Sequence, residues 1–429
     1  MASPSSGPAR GLLLLGLQLA ASIAPAAALP AGCRSLVATS TDPLMRWFCQ
    51  SGPPGSLVPG PYRTNNSKGC VGSWHPWNNC GWQCTNRHIA CAAAPQAPRR
   101  TQLAVFLPGT GLCPHAYSQL LADFASHGFH TLGLQYPSGE GQRNCGASRA
   151  PAGRASTDLN CTARQRLRVL TGANFSYGQP ELQTNVTFAD SIVNRIAKAL
   201  LALGPPWSGW VSGGKPDWPK IVIAGHSNGA DHAAFASKVF PVARALLFAG
   251  ANDDVGSAPH GHYATPAPWQ FAAGATPSGR VYGFGVCPGG PMCLTWHAGW
   301  AAMGLPGPWF QAQDALTSPA SALSGYHRIC ANGSALVERG KSAHMAAAAD
   351  CCAPTFPNTS GVDASLRGRM MWTRLYEHML TDAIGSTPAE PGSSPGACSC
   401  NSALKSDDDT VDVDVPDPST VTHQINPML

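Results

Sequence analysis

The sequence has few charged residues, no dense cluster of basic residues and no metal-binding spacing. Asp, Glu, Lys and Arg make up 12% of its 429 residues, against about 25% in an average globular protein. Without a dense Lys/Arg cluster, we expect no nucleic-acid partner. Without Cys/His pairs at zinc-site spacing, we expect no metal and no cofactor. Beyond the N-terminus, no segment approaches the roughly 18–20 apolar residues that cross a membrane, so we expect no transmembrane segment.

The first 28 residues are predicted to be a secretory signal peptide. Arg10 ends a short n-region, the apolar stretch GLLLLGLQLAA follows, and APAAALPAG supplies small residues for cleavage near Ala28. The apolar stretch is about a dozen residues long, which is too short for a membrane anchor. We therefore expect a secreted, extracellular protein.

Sixteen cysteines and six glycosylation sequons agree with that route. All the cysteines follow the predicted cleavage site and their number is even, as an oxidising compartment allows. The full connectivity cannot be read from the sequence, but Cys145 with Cys161 and Cys287 with Cys293 are candidates to close short loops. Sequons predict N-glycosylated surface loops. They are found at Asn65, Asn160, Asn174, Asn185, Asn332 and Asn358.

After the leader, the chain divides by composition into three parts. Residues 29–100 are rich in Cys, Trp, Pro and Gly, and they predict an extension, stapled by disulfides, that leads into the core. From 101 to 384, short apolar runs alternate with segments of helical spacing, which predicts one α/β domain. Residues 385–429 are rich in Ser, Pro and Asp, and they predict an acidic, disordered tail.

The apolar runs of the predicted α/β domain are continuous rather than alternating, which is typical of strands buried on both faces of a parallel sheet. They lie at 103–107, 130–136, 221–224, 245–249 and 281–286. Helices are predicted at 115–128, 187–204, 230–240 and 365–383. A long loop-like insertion is predicted at 137–186. We expect a mostly parallel central sheet flanked by helices.

Ser227 stands between two glycines at a predicted strand-to-helix junction, in KIVIAGHSNGADHAAF (220–235). A sharp strand–turn–helix bend holds a nucleophile rigidly and clear of the backbone, and it needs small flanking residues. Gly225 and Gly229 meet that need. A helix N-terminus directs N–H groups toward developing negative charge, which makes the N–H of Asn228 an oxyanion donor. A serine in an ordinary glycine-flanked turn is the alternative interpretation.

With an apolar strand before it and a helix after it, GHSNG resembles the nucleophile turn of the α/β-hydrolase superfamily. LAVFLPGTGLCPHAYSQLLADFASHGFHTLGLQYP resembles the superfamily's strand, oxyanion loop, helix and next strand in that order. The resemblance covers about residues 100–350 and is greatest to a poorly characterised secreted branch that carries LPGTG and GHSxG together. It implies a serine hydrolase whose second oxyanion N–H comes from Thr110 or Gly111.

The superfamily's chain order of serine, acid and histidine places the general base in the last part of the chain. The histidines after residue 300 are His327, His344, His378 and His423. His378 is predicted in mid-helix and His423 in the tail. His344 lies in a small-residue loop before an alanine-rich helix start, and it is preferred over His327 at a predicted strand end.

The acid is the part of the pattern that the sequence does not supply in the usual place. The run VYGFGV is followed by CPGGPMC, which contains no carboxylate. Asp253 and Asp254 follow the preceding strand, where some superfamily members carry their acid. Aspartates also favour turns, so the triad acid and a turn-forming role both stay open for these two residues.

The predicted function is hydrolysis of a carboxylic ester, with an amide as the less favoured substrate, through an acyl-enzyme at Ser227. The expected substrate is a small-molecule or lipid-like ester. Insertions 137–186 and 251–280 are expected to form the cap and pocket walls. Candidates for the lining are His260, His262, Trp269 and the group Trp207, Trp210 and Trp218, although tryptophan is more often a core or rim residue. The alternative is a catalytically degenerate protein of the same fold that acts as an extracellular binding or structural module.

Overall fold

A computed structural model describes residues 29–37, 87–110, 112–138, 145, 159–173, 186–255, 265–287, 291–312, 323–338 and 342–383. The predicted signal peptide, most of the predicted extension and the predicted tail lie outside these ranges. So do four of the predicted site and glycosylation residues, namely Gly111, Asn65, Asn174 and Asn185.

The strands of the described residues are grouped into one large sheet and two short ribbons. In chain order the strands are β1 (Cys33–Val37), β2 (Arg87–Cys91), β3 (Leu103–Leu107), β4 (His130–Gly133), β5 (Val211–Ser212), β6 (Lys215–Pro216), β7 (Ile221–His226), β8 (Arg244–Phe248), β9 (Asp254–Val255), β10 (Thr265–Pro266), β11 (Val281–Cys287), β12 (Trp309–Gln311) and β13 (Arg328–Asn332). The large sheet has the order β1-β2-β4-β3-β7-β8-β11-β13-β12, and the ribbons pair β5 with β6 and β9 with β10.

Seven neighbouring strands of the large sheet, from β4 to β12 in the sheet order, run parallel to one another. The strand β2 runs antiparallel to β4, and β1 runs antiparallel to β2. Every residue of β3, β7, β8 and β11 is buried, as expected for strands covered on both faces. The predicted mostly parallel sheet is confirmed.

Helices accompany this sheet along the chain. They are α1 (Ser118–Ser126), α2 (Cys161–Thr171), α3 (Ile192–Leu203), α4 (Asn228–Val239), α5 (Pro268–Phe271), α6 (Pro291–Ala302), α7 (Ser334–Glu338), α8 (Ala343–Ala346) and α9 (Thr373–Thr381). The helix α4 packs against β7 and β8, and α1 packs against β4. Within the described ranges, no helix has the length and apolar character needed to cross a membrane.

Two secondary-structure predictions are wrong. The helix α2 lies inside the stretch 137–186, which was predicted to be a loop. The last helix begins at Thr373 instead of 365, because the preceding residues form a tight pairing of their own. Thr355 is bridged to Met370, and Gly368 takes a left-handed φ of 70° that a continuing helix does not allow.

Disulfides join Cys145 to Cys161 and Cys287 to Cys293, which confirms both predicted pairs. A third disulfide, Cys33–Cys91, joins β1 to β2 at directly paired positions. The described parts of the segment 29–100 thus contribute β1 and β2 to the central sheet. Of the predicted glycosylation asparagines within the described ranges, Asn332 and Asn358 are exposed, and Asn160 is half-buried.

Candidate active site

Ser227 is the single residue between β7 and α4, and it adopts φ 54° and ψ −125°. A side chain in such a sparsely populated conformation costs about 1–3 kcal/mol, and the surrounding structure must enforce it. The Ser227 N–H donates to the carbonyl of Phe248 over 2.9 Å, and the Ser227 carbonyl accepts from the N–H of Ala230 over 2.8 Å. Ser227 is half-buried, whereas both its neighbours are fully buried. Residues 225–229, called the serine turn, therefore present this hydroxyl at the carboxyl ends of the parallel strands.

The two glycines of the serine turn are required by close backbone contacts. A Cβ on Gly225 would lie 2.2 Å from the carbonyl oxygen of Gly229, and a Cβ on Gly229 would lie 2.0 Å from that of Leu107. Both distances are far below van der Waals contact. The turn is thus packed directly against the start of α4 and the end of β3, which holds Ser227 in its strained conformation.

The loop after β3 passes over the serine turn. A Cβ on Gly109 would lie 3.2 Å from the Cβ of Ser227, and Thr110 follows with an exposed side chain. On the other side of Ser227, Asn228 opens α4, and the first N–H groups of a helix have no acceptor within the helix. The loop that carries Thr110 thus passes close to Ser227, and Asn228 follows Ser227 directly; their role as oxyanion donors stays a prediction.

His344 lies on α8, which follows β13, and it is held against the serine turn. Its carbonyl accepts a hydrogen bond from Nε2 of His226 over 2.9 Å. Its ring lies 4.7 Å from the ring of His226 and 5.6 Å from the ring of Trp296, centroid to centroid. Because His226 directly precedes Ser227, these contacts place His344 beside the serine turn, and its role as the base stays a prediction.

His327 lies at the amino ends of the parallel strands, whereas Ser227 lies at their carboxyl ends. It directly precedes β13, its Nδ1 donates to the carbonyl of Val281 over 3.0 Å at the start of β11, and its ring stacks on Tyr282. A parallel strand of five residues spans about 17 Å, so the length of the sheet separates His327 from the serine turn. This geometry favours His344 over His327 as the base.

Asp253, a predicted acid, is engaged by a guanidinium group. Its Oδ2 accepts from Nε of Arg166 over 2.9 Å and from Nε1 of Trp269 over 3.2 Å, and its Oδ1 accepts from Nη2 of Arg166 over 2.7 Å. Asp254 begins β9 and is buried. The assignment of either residue as the acid stays a prediction, and the contacts give Asp253 a second role as an ion partner.

Arg166, which the sequence did not single out, joins this acid to the serine turn. It is wholly buried on α2 and donates to Asp231 over 2.8 Å and to the side-chain oxygen of Asn228. The Asn228 amide nitrogen in turn donates to the carbonyl of Ser138 over 2.8 Å. Burial acts to lower the pKa of Arg166, but the carboxylates of Asp253 and Asp231 outweigh it, and the pKa is raised. A permanent buried cation therefore supports the residue after the nucleophile.

Replacing Asp253 by asparagine separates its two possible roles. As an ion partner, the carboxylate is worth about 1.5–3 kcal/mol through its hydrogen bonds to a charged group, so the free energy of unfolding should fall by that amount. If Asp253 is an ion partner only, kcat of the folded variant stays within about tenfold, whereas loss of a triad acid costs about 10⁴-fold. Denaturant titration and initial rates measure the two effects on one preparation. A 10⁴-fold loss of kcat at unchanged stability would instead identify Asp253 as the acid.

Three of the four tryptophans predicted to line the pocket, Trp207, Trp210 and Trp218, lie elsewhere, and for these three the prediction is wrong. His260 and His262 lie outside the described residues. Trp210 donates from Nε1 to the carbonyl of Thr101, just before β3. Trp207 packs against the ring of His130 at the start of β4. The rings of Trp218 and Phe240, 4.3 Å apart, stack beside the start of β7. These contacts place all three indoles at the amino ends of the strands, whereas Ser227 lies at the carboxyl ends.

A strained serine between a parallel strand and a helix, at the carboxyl edge of a mostly parallel sheet, is the arrangement that α/β-hydrolases use for their nucleophile. No protein-family profile and no curated protein matches the sequence. Among solved structures, the chain is similar to esterase 2 of Thermogutta terrifontis in its form phosphoramylated by tabun. The identity is 16%, the match covers 51% of this chain and 73% of that chain, and the TM-score is 0.28.

The same Thermogutta enzyme with butyrate bound gives the same identity, coverage and TM-score. A ferulic acid esterase from Streptomyces cinnamoneus is 20% identical over 49% of each chain, with a TM-score of 0.23. The structural neighbours named here are thus bacterial esterases.

Proposed function

We propose that the protein is a secreted serine hydrolase that cleaves a carboxylic ester through an acyl-enzyme at Ser227. The observation that carries the proposal is the half-buried Ser227 at φ 54°, because strained positions of this kind cluster at active sites. The disulfides Cys33–Cys91, Cys145–Cys161 and Cys287–Cys293 support folding in an oxidising compartment. The proposed substrate is a small-molecule or lipid-like ester, and an amide is less favoured because its amine is the poorer leaving group.

In the proposed first step, Ser227 Oγ bonds to the ester carbonyl carbon while the imidazole of His344 accepts its proton. The N–H groups of Asn228 and of Thr110 or Gly111 stabilise the oxyanion, each by about 2.7–4 kcal/mol. The tetrahedral intermediate then collapses, and the leaving alkoxide takes the proton from His344. Asp253 or Asp254 is the candidate acid that would orient the imidazole.

In the second step, a water molecule attacks the acyl-enzyme while His344 takes one of its protons. Collapse of this intermediate breaks the bond to Oγ and returns the proton to Ser227. The carboxylic acid leaves, and the enzyme regains its starting state. The step consumes one water for each ester bond, so no cofactor enters the proposed cycle.

Labelling with a fluorophosphonate tests the proposal directly, because such a probe reacts with an activated serine and not with an ordinary one. The full secreted wild-type chain is expected to be labelled on the peptide that contains Ser227. Ser227→Ala should be unlabelled and inactive at an unchanged melting temperature, since the side chain is only half-buried. Ser212→Ala, which removes an exposed hydroxyl from β5, is the matched control and should be labelled like wild type.

Two outcomes would contradict the proposal in different ways. Labelling that survives in Ser227→Ala would assign the reactive serine elsewhere. A folded wild-type chain that no fluorophosphonate labels would instead favour the alternative function, a binding module that keeps the hydrolase fold without its chemistry.

A further inference from the structure

A buried chain of hydrogen bonds passes through His226, the residue before Ser227, and joins three distant segments. The N–H of Gly109 lies 3.2 Å from Oη of Tyr117, and this oxygen lies 2.9 Å from Nδ1 of His226. Nε2 of His226 lies 2.9 Å from the carbonyl oxygen of His344. Tyr117 and His226 are fully buried. The chain therefore links the loop after β3, the serine turn and the segment of His344.

The direction of every bond in this chain follows from its two ends. A carbonyl oxygen only accepts, so Nε2 of His226 carries the hydrogen and donates to His344. Nδ1 of a neutral imidazole is then an acceptor, and the hydroxyl of Tyr117 must donate to it. The Tyr117 oxygen accepts in turn from the N–H of Gly109. Only the Nε2–H tautomer of His226 satisfies all the partners.

Burial keeps both side chains in that protonation state. It lowers the pKa of His226 to about 4, against the opposing effect of the hydrogen bond to His344. It also raises the pKa of Tyr117 well above its ordinary value. At neutral pH the imidazole is therefore neutral and the phenol protonated, and aligned bonds of this kind polarise one another in a low-dielectric interior.

We propose that Tyr117 and His226 are positioning residues, and that the Nε2–H of His226 sets the placement of His344 against Ser227. The inference rests on the proposed function, in which His344 is the base. His226 contacts His344 twice, through the carbonyl and through the packed rings. His226 is joined to Ser227 by a peptide bond, and its side chain contacts His344. A shift of the His226 side chain therefore changes the position of His344 relative to the Ser227 hydroxyl.

Two substitutions at position 226 test the hydrogen bonds of the two ring nitrogens separately. The amide nitrogen of glutamine reaches about the place of Nε2, whereas the amide oxygen of asparagine reaches about the place of Nδ1. His226→Gln therefore keeps a donor for the His344 carbonyl and loses the bond to Tyr117. His226→Asn keeps a partner for Tyr117 and cannot reach His344.

The test is the rate of Ser227 labelling by the fluorophosphonate, together with kcat and KM for an ester, per folded molecule. A displacement of 1 Å in an active site costs about 10²-fold, so His226→Asn is expected to lose about that much in labelling rate and kcat. His226→Gln should stay within about tenfold of wild type, since its donor is kept. KM should be unchanged in both, because His226 is buried away from substrate.

A purely structural role would not distinguish the two amides. The matched control is His327→Gln, which replaces a buried histidine at the amino ends of the strands and should behave like wild type. Equal rates for His226→Gln and His226→Asn would overturn the proposal. So would a loss in His226→Asn that appears in KM and not in kcat.

A second measurement keeps the proposal separate from the proposed function. In ¹⁵N-histidine NMR of the wild-type protein, His226 is expected as the Nε2–H tautomer, and the His344 resonances should shift in His226→Asn and stay in His226→Gln. A wild type that no probe labels contradicts the hydrolase function and leaves this measurement to judge the positioning role. An Nδ1–H tautomer at His226 contradicts the positioning role even in an active enzyme.

Discussion

Substitution of His344 by glutamine is expected to lower kcat for an activated ester by roughly 10⁴- to 10⁶-fold. Glutamine cannot take the proton from Ser227 Oγ, so the residual rate comes from substrate binding and the oxyanion donors alone. KM should change little, because the proposed role of His344 is proton transfer and not substrate binding. Initial rates with a p-nitrophenyl ester measure both constants, and loss of fluorophosphonate labelling reports the same step without turnover.

His327→Gln is the control for this experiment, because it removes the rival histidine. The side chain of His327 is hydrogen-bonded to the carbonyl of Val281 at the amino ends of the strands. Its replacement should therefore leave kcat at the wild-type value. Unfolding curves for both variants exclude a general loss of fold. If His327→Gln lost activity and His344→Gln kept it, the assignment of the base would be reversed.

Replacement of Arg166 by methionine is expected to lower the free energy of unfolding by about 3–5 kcal/mol. Methionine matches much of the side chain's length, but it leaves the carboxylates of Asp231 and Asp253 buried without their shared cation. Asn228 loses its partner at the side-chain oxygen as well. The labelling rate of Ser227 should fall with the loss of this support, and denaturant titration gives the change in stability.

A neutralised variant and a surface pair test whether buried charge is the cause. Adding Asp231→Asn and Asp253→Asn to Arg166→Met removes the uncompensated carboxylates, so part of the lost stability should return. This triple variant is also measurable if Arg166→Met alone is not secreted. Lys220→Met breaks a pair whose lysine is 55% exposed and should cost no more than about 1 kcal/mol. Equal costs for Arg166→Met and Lys220→Met would contradict the role given to Arg166.

The parts of the fold that the sequence predicts are those with a purely local signal. The run at 103–107 matches β3 at both ends, since every residue in it is apolar and buried and Pro108 follows it. The serine turn is equally local, because its geometry needs small residues at 225 and 229 whatever surrounds them. The choice of His344 rests on the chain order that the resemblance implies, and it stays a prediction.

The parts that the sequence does not predict depend on distant partners. The helix α2 is rich in polar side chains, and its Arg166 is buried only because two aspartates from other segments meet it. A charged residue in a polar stretch is typical of an exposed loop, so its burial has no local signature. The same holds for Tyr117, whose hydroxyl meets a histidine more than a hundred residues away.

The disulfide Cys145–Cys161 closes on the first residue of α2, five residues before the arginine that supports Asn228. This covalent tether forms only where thiols are oxidised. We infer that a copy of the chain retained in a reducing cytosol lacks the anchor of that helix. Reduction of this disulfide is therefore expected to release the N-terminal end of the helix that carries Arg166.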